Sequence, residues 1–350
     1  MKLLITTQAI DKNNPILGFF HRWVEEFAKH FEHIHVICLY EGEHSLPANV
    51  TVYSLGKETG ENRIKYIWRF YKIFSKIFFG VRVDFVFFHM GAIYNILAAP
   101  FFFLRKIINT KFYWWKTHGK LNILGRVASL WVDVIATAGD KSFDMLSRKV
   151  KVVGHAIDTD IFNFPSEFCK KNKSLGLIMV GRVVPIKKCE IAINVFKEFK
   201  IKSYQEIFLD IYGPITDLLY KKKLDDLITK TNIQQKVVFK GAVNHTDLVG
   251  VYHEYDVLIH PTYEAGFDKV VLEAVATGVI PLTSIPSFKS ILEPYGLYIE
   301  KNNIDEYVNM LSKIHKMPSQ EKMILLKKLR DIVCLEHSIN TLPKRIFGVV

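Results

Sequence analysis

Two stretches of this chain place charged side chains where a strand gives way to a helix. The first reads Val180-Gly181-Arg182-Val183-Val184-Pro185-Ile186-Lys187-Lys188. An apolar run from Leu175 ends at Val180, Gly181 lets the backbone turn tightly, and Arg182 and Lys187 lie on the connection to the next helix. Two cations beside a helix N-terminus suit a diphosphate, whose negative charge they would neutralise. An ordinary basic loop has the same composition. The second stretch reads His260-Pro261-Thr262-Tyr263-Glu264-Ala265-Gly266-Phe267-Asp268-Lys269-Val270-Val271-Leu272-Glu273-Ala274. A strand runs into a glycine-containing loop and then into a helix that carries Glu273. Backbone amides from Gly266 through Phe267 and Asp268 to Lys269 could meet phosphate or sugar oxygens, although Asp268 could equally cap the helix. A carboxylate such as Glu273 suits the two vicinal hydroxyls of a ribose. The plainer reading is a capped helix with a solvated glutamate.

Other candidates stand singly at strand ends. His118 follows an aromatic strand ending Trp114-Trp115-Lys116-Thr117 and precedes Gly119; His89 follows the apolar run Phe85 to Phe88. Either could face a cleft. Gly18, after Pro15-Ile16-Leu17, opens the first helix and could let an acceptor or a donor phosphate approach its N-terminus. Asp158-Thr159-Asp160 has the Asp-x-Asp spacing of some metal sites. Arg182 and Lys187 already supply the charge that a divalent ion would bring, so no metal site is assigned and no cofactor is expected. Neither a G-x-G-x-x-G loop, a Walker-type phosphate loop nor a G-x-S-x-G elbow is present.

The elements that must hold these residues alternate between short apolar β-type runs and helical patterns. Lys2 to Thr6 reads as a strand, Phe19 to Phe31 as a helix with Phe20, Trp23, Val24, Phe27 and Phe31 at helical spacing, and His33 to Leu39 as a strand. The scheme starts afresh with Leu175 to Val180, a helix from Cys189 to Ile201, and strands at Leu209 to Tyr212, Val237 to Phe239, Val257 to His260 and Ile280 to Thr283. Such alternation argues for βαβ units and parallel sheets in an α/β fold, with ligands at the carboxyl ends of the strands. The polar, lysine-rich stretch Asn163 to Ser174 reads as a linker. The domains expected are therefore 1–165, 166–330 and a C-terminal helix, 331–350, that could pack back on the first domain.

With 350 residues, the chain is too long for one ordinary core and fits two. Nearly half of its residues are apolar, which excludes disorder. Its four cysteines form no CxxC pair and suggest a reducing compartment. No signal peptide is read at the N-terminus. Phe85 to Leu104 is uncharged and as long as a membrane span, but His89, Gly91, Asn95 and Pro100 interrupt it. It reads as a buried strand followed by a buried helix, Ala92 to Leu104. Nearly all of the formal net charge of +12 lies between Arg63 and Lys120, where eleven Lys/Arg stand against one acid, Asp84. In the helix Arg63 to Arg82, aromatic and aliphatic residues recur at three- and four-residue steps, and Lys65, Arg69, Lys72 and Lys76 form a separate stripe. Such a helix could lie on an anionic membrane or present a solvated basic face to water.

Taken together, the segments resemble the retaining GT-B glycosyltransferases of family 4 (glycosyl transferases group 1). Gly181, Arg182 and Lys187 match the family's Gly-Arg-x-x-x-x-Lys element, and Glu273, Ala274, Gly278 and Pro281 match its Glu-rich signature. Gly154 to Phe162 looks like the element closing the first domain, Val238 to Val243 like the loop that holds the donor base, and Trp114 to Gly119 like the strand end with the active-site histidine. The pattern also calls for a glutamate eight positions before Glu273, where Ala265 stands with Glu264 beside it. Either the loop bulges so that Glu264 serves, or Phe267-Asp268-Lys269 replaces it, as in some relatives.

The resemblance implies two Rossmann-like domains facing a central cleft, the first for the acceptor and the second for the donor. It implies a metal-independent hexosyltransfer, with retention, from a nucleotide-sugar (UDP favoured, GDP possible) to a glycan or lipid-linked acceptor. His118, Arg182, Lys187 and Glu264 would be catalytic. Gly181, Arg182, Lys187, Val243, Gly266, Phe267, Asp268, Lys269 and Glu273 would bind the donor nucleotide, and Gly18 and His89 would line the cleft. A cytoplasmic protein, possible at an anionic membrane face and without a nucleic-acid partner, is expected. The alternatives are another GT-B enzyme, such as an epimerase or phosphorylase, and a non-enzymatic binder of membrane or nucleic acid using region 63–120.

Overall fold

The computed structural model describes residues 1–14, 17–117, 121–139, 147–165, 174–202, 206–263 and 266–349. The chain divides into two compact units, Met1–Gly154 with Ile339–Val350, and His155–Ser338. The boundary expected at 165 thus falls at Gly154, and 331–338 stay with the second unit. Hydrogen bonds within that unit account for the difference. His337 Nδ1 accepts the His155 amide at 3.0 Å, the His337 carbonyl accepts the Ile157 amide at 2.7 Å, and the Thr159 and Ser338 hydroxyls meet at 2.9 Å.

The first unit is a parallel sheet of seven strands among the described residues: β1 (Lys2–Ile10), β2 (His33–Glu41), β3 (Val50–Ser54), β4 (Phe85–His89), β5 (Lys111–Trp115), β6 (Val134–Thr137) and β7 (Val150–Val152), in the order β3-β2-β1-β4-β5-β6-β7. Runs such as Leu3-Leu4-Ile5 and Val86-Phe87-Phe88 are buried throughout, as helices on both faces of a parallel sheet require. Those helices include α1 (Phe19–Ala28), α2 (Arg63–Gly80), α3 (Ala92–Leu97), α4 (Ala99–Leu104) and α5 (Ile123–Ala128). The single helix expected over Ala92 to Leu104 is two. Pro100 lacks the N–H that a continuous helix would use, and α4 starts anew with that proline in its first turn. Among the described residues, no helix is long and apolar enough to cross a membrane. In α2, Phe70, Phe74, Ile77 and Phe78 are buried, while Asn62 caps the N-terminus by accepting the Lys65 amide.

The second unit holds β8 (Leu175–Val180), β9 (Ile207–Tyr212), β10 (Val237–Gly241), β11 (Val257–His260) and β12 (Ile280–Thr283), all parallel, in the order β10-β9-β8-β11-β12. Its helices are α6 (Cys189–Lys202), α7 (Leu218–Lys230), α8 (Leu248–Tyr252), α9 (Lys269–Ala276), α10 (Lys289–Leu292), α11 (Ile304–Lys316) and α12 (Ser319–Glu336). The strand order reverses between β8 and β11, so the connections after these two strands diverge and leave a crevice at their carboxyl ends. The chain then returns to the first unit, where α13 (Leu342–Phe347) ends in Phe347.

Candidate active site

At the carboxyl edge of the second sheet, three adjacent strands end in glycines with positive φ: Gly181 after β8 (+147°), Gly213 after β9 (+145°) and Gly241 closing β10 (+77°). They are laced sideways. The Gly181 amide donates to the Tyr212 carbonyl at 2.9 Å, and the Gly213 amide to the Gly241 carbonyl at 2.8 Å. A Cβ on Gly213 would lie 1.9 Å from the Gly181 carbonyl oxygen, so only glycine fits. The result is an edge of bare backbone, which a ligand can approach more closely than it could a row of side chains.

Beside this edge stand the two cations. Arg182 is exposed immediately after Gly181. Lys187 ends a short 3-10 turn, Pro185–Lys187, and its aliphatic stem lies over Gly181, whose absent Cβ would meet Lys187 Cε at 3.3 Å. Lys187 Nζ is held 2.6 Å from Asp268 Oδ2. The same carboxylate oxygen lies 3.2 Å from His260 Nε2, and His260 Nδ1 lies 3.2 Å from Thr283 Oγ1. Asp268 Oδ1 accepts the Val270 amide and caps α9. Burial alone would raise the Asp268 carboxyl, but the His260 contact and Lys187 overcome it and hold the group well below the usual carboxylate range. Lys269 follows, half-buried. Burial pushes its ammonium down to about 8, against the upward pull of Glu273 and Asp268.

Glu273 is 3 % exposed, and its Oε1 lies 2.8 Å from Nε2 of His245, in the loop after β10. That loop also carries Val243, which is exposed. The ring of Phe267 faces inward, 4.2 Å from Phe288 and 4.9 Å from His337, which leaves the backbone of Gly266 and Phe267 as the part a ligand could meet. Cations and a backbone edge at the carboxyl ends of the strands, with a buried carboxylate on α9, can bind an anionic, hydroxyl-bearing ligand.

Residues 160–329 match the family described as glycosyl transferases group 1. This stretch is a glycosyl transferases group 1 domain. Two bacterial relatives are similar to about half of the chain. The O-antigen chain mannosyltransferase RfbU of Salmonella typhimurium is 24% identical over 179 residues, which are 51% of this chain and 48% of that protein. The lipopolysaccharide core biosynthesis mannosyltransferase LpsB of Rhizobium meliloti is 26% identical over 198 residues, 50% and 53% of the two chains. The chain spans about half the length of the curated relatives it matches. Among solved structures, that of Anabaena Alr3699/HepE in complex with UDP aligns over 99% of both chains, with a TM-score of 0.76 at 14% identity. WaaG, a glycosyltransferase involved in lipopolysaccharide biosynthesis, aligns over 99% of this chain and 100% of its own, with a TM-score of 0.65 at 14% identity. The fold is GT-B, with two α/β units on parallel sheets.

The group 1 domain gathers Gly181, Arg182, Lys187, Val243, Gly266, Phe267, Asp268, Lys269 and Glu273 around the carboxyl ends of β8, β10 and β11. Glu264, expected in the same loop, and His118, in the other unit, lie outside the described residues. Gly18 and His89 also belong to the other unit. A Cβ on Gly18 would fall 2.6 Å from the Asn14 carbonyl oxygen, so Gly18 serves the loop that precedes α1. His89 is 1 % exposed; its Nδ1 is 3.1 Å from Thr7 Oγ1 and its ring stacks on Phe20 at 3.8 Å. It is buried among aromatic rings, not displayed at a surface. Asp158 Oδ1 accepts the amides of Asp160 and Ile161, and no cluster of three metal-ligating side chains occurs among the described residues.

The sequence pattern points to Gly241 only as part of the Val238–Val243 loop and to His260 only as the end of a strand, and it gives no role to Gly213, His245 or Thr283. A signal exists for the glycines, since a β-type run followed by glycine recurs at Val180-Gly181, Tyr212-Gly213 and Lys240-Gly241. His245 and Thr283 find their partners only through tertiary structure.

Proposed function

We propose that the chain is a retaining glycosyltransferase that moves a sugar from a nucleoside-diphosphate sugar to a glycan or lipid-linked acceptor without a metal ion. The observation that carries this reading is the bare glycine edge of β8, β9 and β10 beside Arg182 and Lys187. The donor diphosphate lies against that edge. As the bond to the sugar lengthens, charge accumulates on the departing phosphate, and fixed cations are worth more in that state than in the ground state. The Lys187–Asp268–His260 chain keeps one ammonium in place before the ligand arrives, so little reorganisation is needed. Glu273 takes the ribose hydroxyls once His245 swings aside, and Val243 lies next to the base. His118 contacts the transferred sugar, and Glu264 or the Phe267-Asp268-Lys269 backbone meets its hydroxyls. Little covalent chemistry by the protein is required.

Relatives named as mannosyltransferases and a solved structure holding UDP support a hexosyl donor on a nucleotide, with uridine favoured and guanosine the alternative. The basic character of region 63–120 supports a chain that works at the cytoplasmic face of an anionic membrane. The test is a thermal-shift screen with nucleoside diphosphates in the presence of a chelator. One nucleotide should raise the melting temperature by mass action. Glu273→Ala should weaken that shift, and turnover of the matching nucleotide-sugar should survive the chelator. Stabilisation by no nucleotide, or turnover only with added manganese or magnesium, would remove this reading.

A further inference from the structure

Helix α9 opens with a cation where a cation is disfavoured. Lys269 is the first residue after the Asp268 cap. The unsatisfied amides of a helix N-terminus repel an ammonium, and a lysine is better placed in the last turn. Lys269 is half-buried as well, and burial favours the neutral amine. Glu273 and Asp268 pull the other way without offsetting that burial, so the group stays down at about 8.

Both carboxylates are shared with other bases. Asp268 Oδ2 also meets Lys187 Nζ at 2.6 Å and His260 Nε2 at 3.2 Å, and Glu273 Oε1 lies 2.8 Å from His245 Nε2. Glu273 follows Lys269 by four residues, the weaker order for an ion pair on a helix. From α8, Tyr252 donates to the Val270 carbonyl at 3.4 Å, and burial keeps its hydroxyl protonated far above the ordinary range. A helical Cα–Cβ bond tilts towards the N-terminus, so a first-turn side chain leans back over the loop that precedes it. For Lys269 that loop is Gly266 to Asp268, beside Lys187, whose stem lies over Gly181. Lys269 thus belongs to the same anion site as Arg182 and Lys187. An anion arriving there favours the charged form of the amine, by as much free energy as the amine lends to binding.

We infer that the Lys269 side chain is a third cation of the donor site, and that it takes up a proton as the nucleoside diphosphate binds. The inference rests on the donor reading of this site and deepens it. The bound state holds more protons than the free state, so affinity falls as the pH rises through the range in which the empty site sheds its proton. Stability and binding oppose each other at this residue. The same burial that makes the empty chain carry an unfavourable ammonium makes that ammonium available to a diphosphate.

The experiment is isothermal titration calorimetry of the full chain with UDP and with GDP, in Tris and in Bicine at about pH 8.5, with a chelator present. The two buffers differ in ionisation enthalpy, so the difference in binding heat counts the protons exchanged. At that pH a terminal phosphate, with a second pKa of about 6, is already ionised, and an unperturbed histidine, at about 6.5, is neutral. Uptake of roughly half a proton or more per nucleotide is expected, with the dissociation constant rising about ten-fold from about pH 7 to about pH 9.5. Lys269→Met should bind about ten-fold more weakly at neutral pH and show no uptake. Lys269→Arg should bind with a flat pH profile and no uptake, because a guanidinium keeps its proton throughout. Binding without proton uptake by the parent chain, or uptake that persists in both variants, would overturn the inference and leave the transferase reading standing. A chain that binds neither nucleotide would remove both.

Discussion

Asp268 serves three neighbours at once: it caps α9, anchors Lys187 and accepts from His260. Concentrating these tasks on one carboxylate fixes the α9 N-terminus relative to the cation, which positions Glu273 one turn further on. Lys269, next to it, titrates in an accessible range. Burial lowers its pKa from 10.5 to about 8. In the window from there to the ordinary lysine value, the unfolded chain binds the proton that the folded chain has shed, so stability rises with pH. Lys269→Met removes the cost of the buried ammonium. It should melt higher than the parent at neutral pH, and the advantage should shrink as the pH climbs through that window. A melting series across it checks the sign, and a constant difference at every pH would contradict a depressed Lys269.

At the scale of elements, the site depends on how β8, β9 and β10 end. Gly213→Ala would press a methyl group into the Gly181 carbonyl and force alanine to adopt a φ that favours glycine. A loss of roughly 2 kcal/mol or more in urea unfolding is expected, with weaker nucleotide binding because Gly181 must move. A change within about 0.5 kcal/mol would show that the edge can yield. Most of this architecture was legible beforehand. Strands such as Leu175–Val180 and Val257–His260 match the expected bounds, because an apolar run buried on both faces and followed by Gly or Pro leaves little choice of register. The helix break at Ala98 was missed although Pro100 announced it, since the apolar run continues across the break. The Glu273–His245 and Asp268–Lys187 contacts were illegible for a different reason. Each joins residues far apart in sequence, and no local spacing encodes which strand ends become neighbours.

Across the whole molecule, the chain leaves the first unit at Gly154 and returns to it at Ile339. The return is anchored by Phe347, whose ring lies 5.1 Å from Tyr113, 5.3 Å from Phe85 and 5.5 Å from Phe31. Phe347→Ala should destabilise the first unit by about 3 kcal/mol, read by denaturant unfolding of the full chain, because the aromatic cluster cannot close over the cavity. Little change would mean that the C-terminal helix merely covers the unit. The arrangement as a whole has its purpose in the second unit, where Arg182 is the cation whose removal disturbs least. It is exposed, whereas Lys187 is tied to Asp268. The most direct test is therefore turnover of the nucleotide-sugar identified by the nucleotide screen, measured for Arg182→Ala beside its melting temperature. Turnover should fall on the order of a hundred-fold with the melt unchanged, and Arg182→Lys should recover little of it, because an ammonium cannot reproduce the planar fork. Near-native turnover in an Arg182→Ala protein that melts normally would contradict the assignment of this site to the leaving diphosphate.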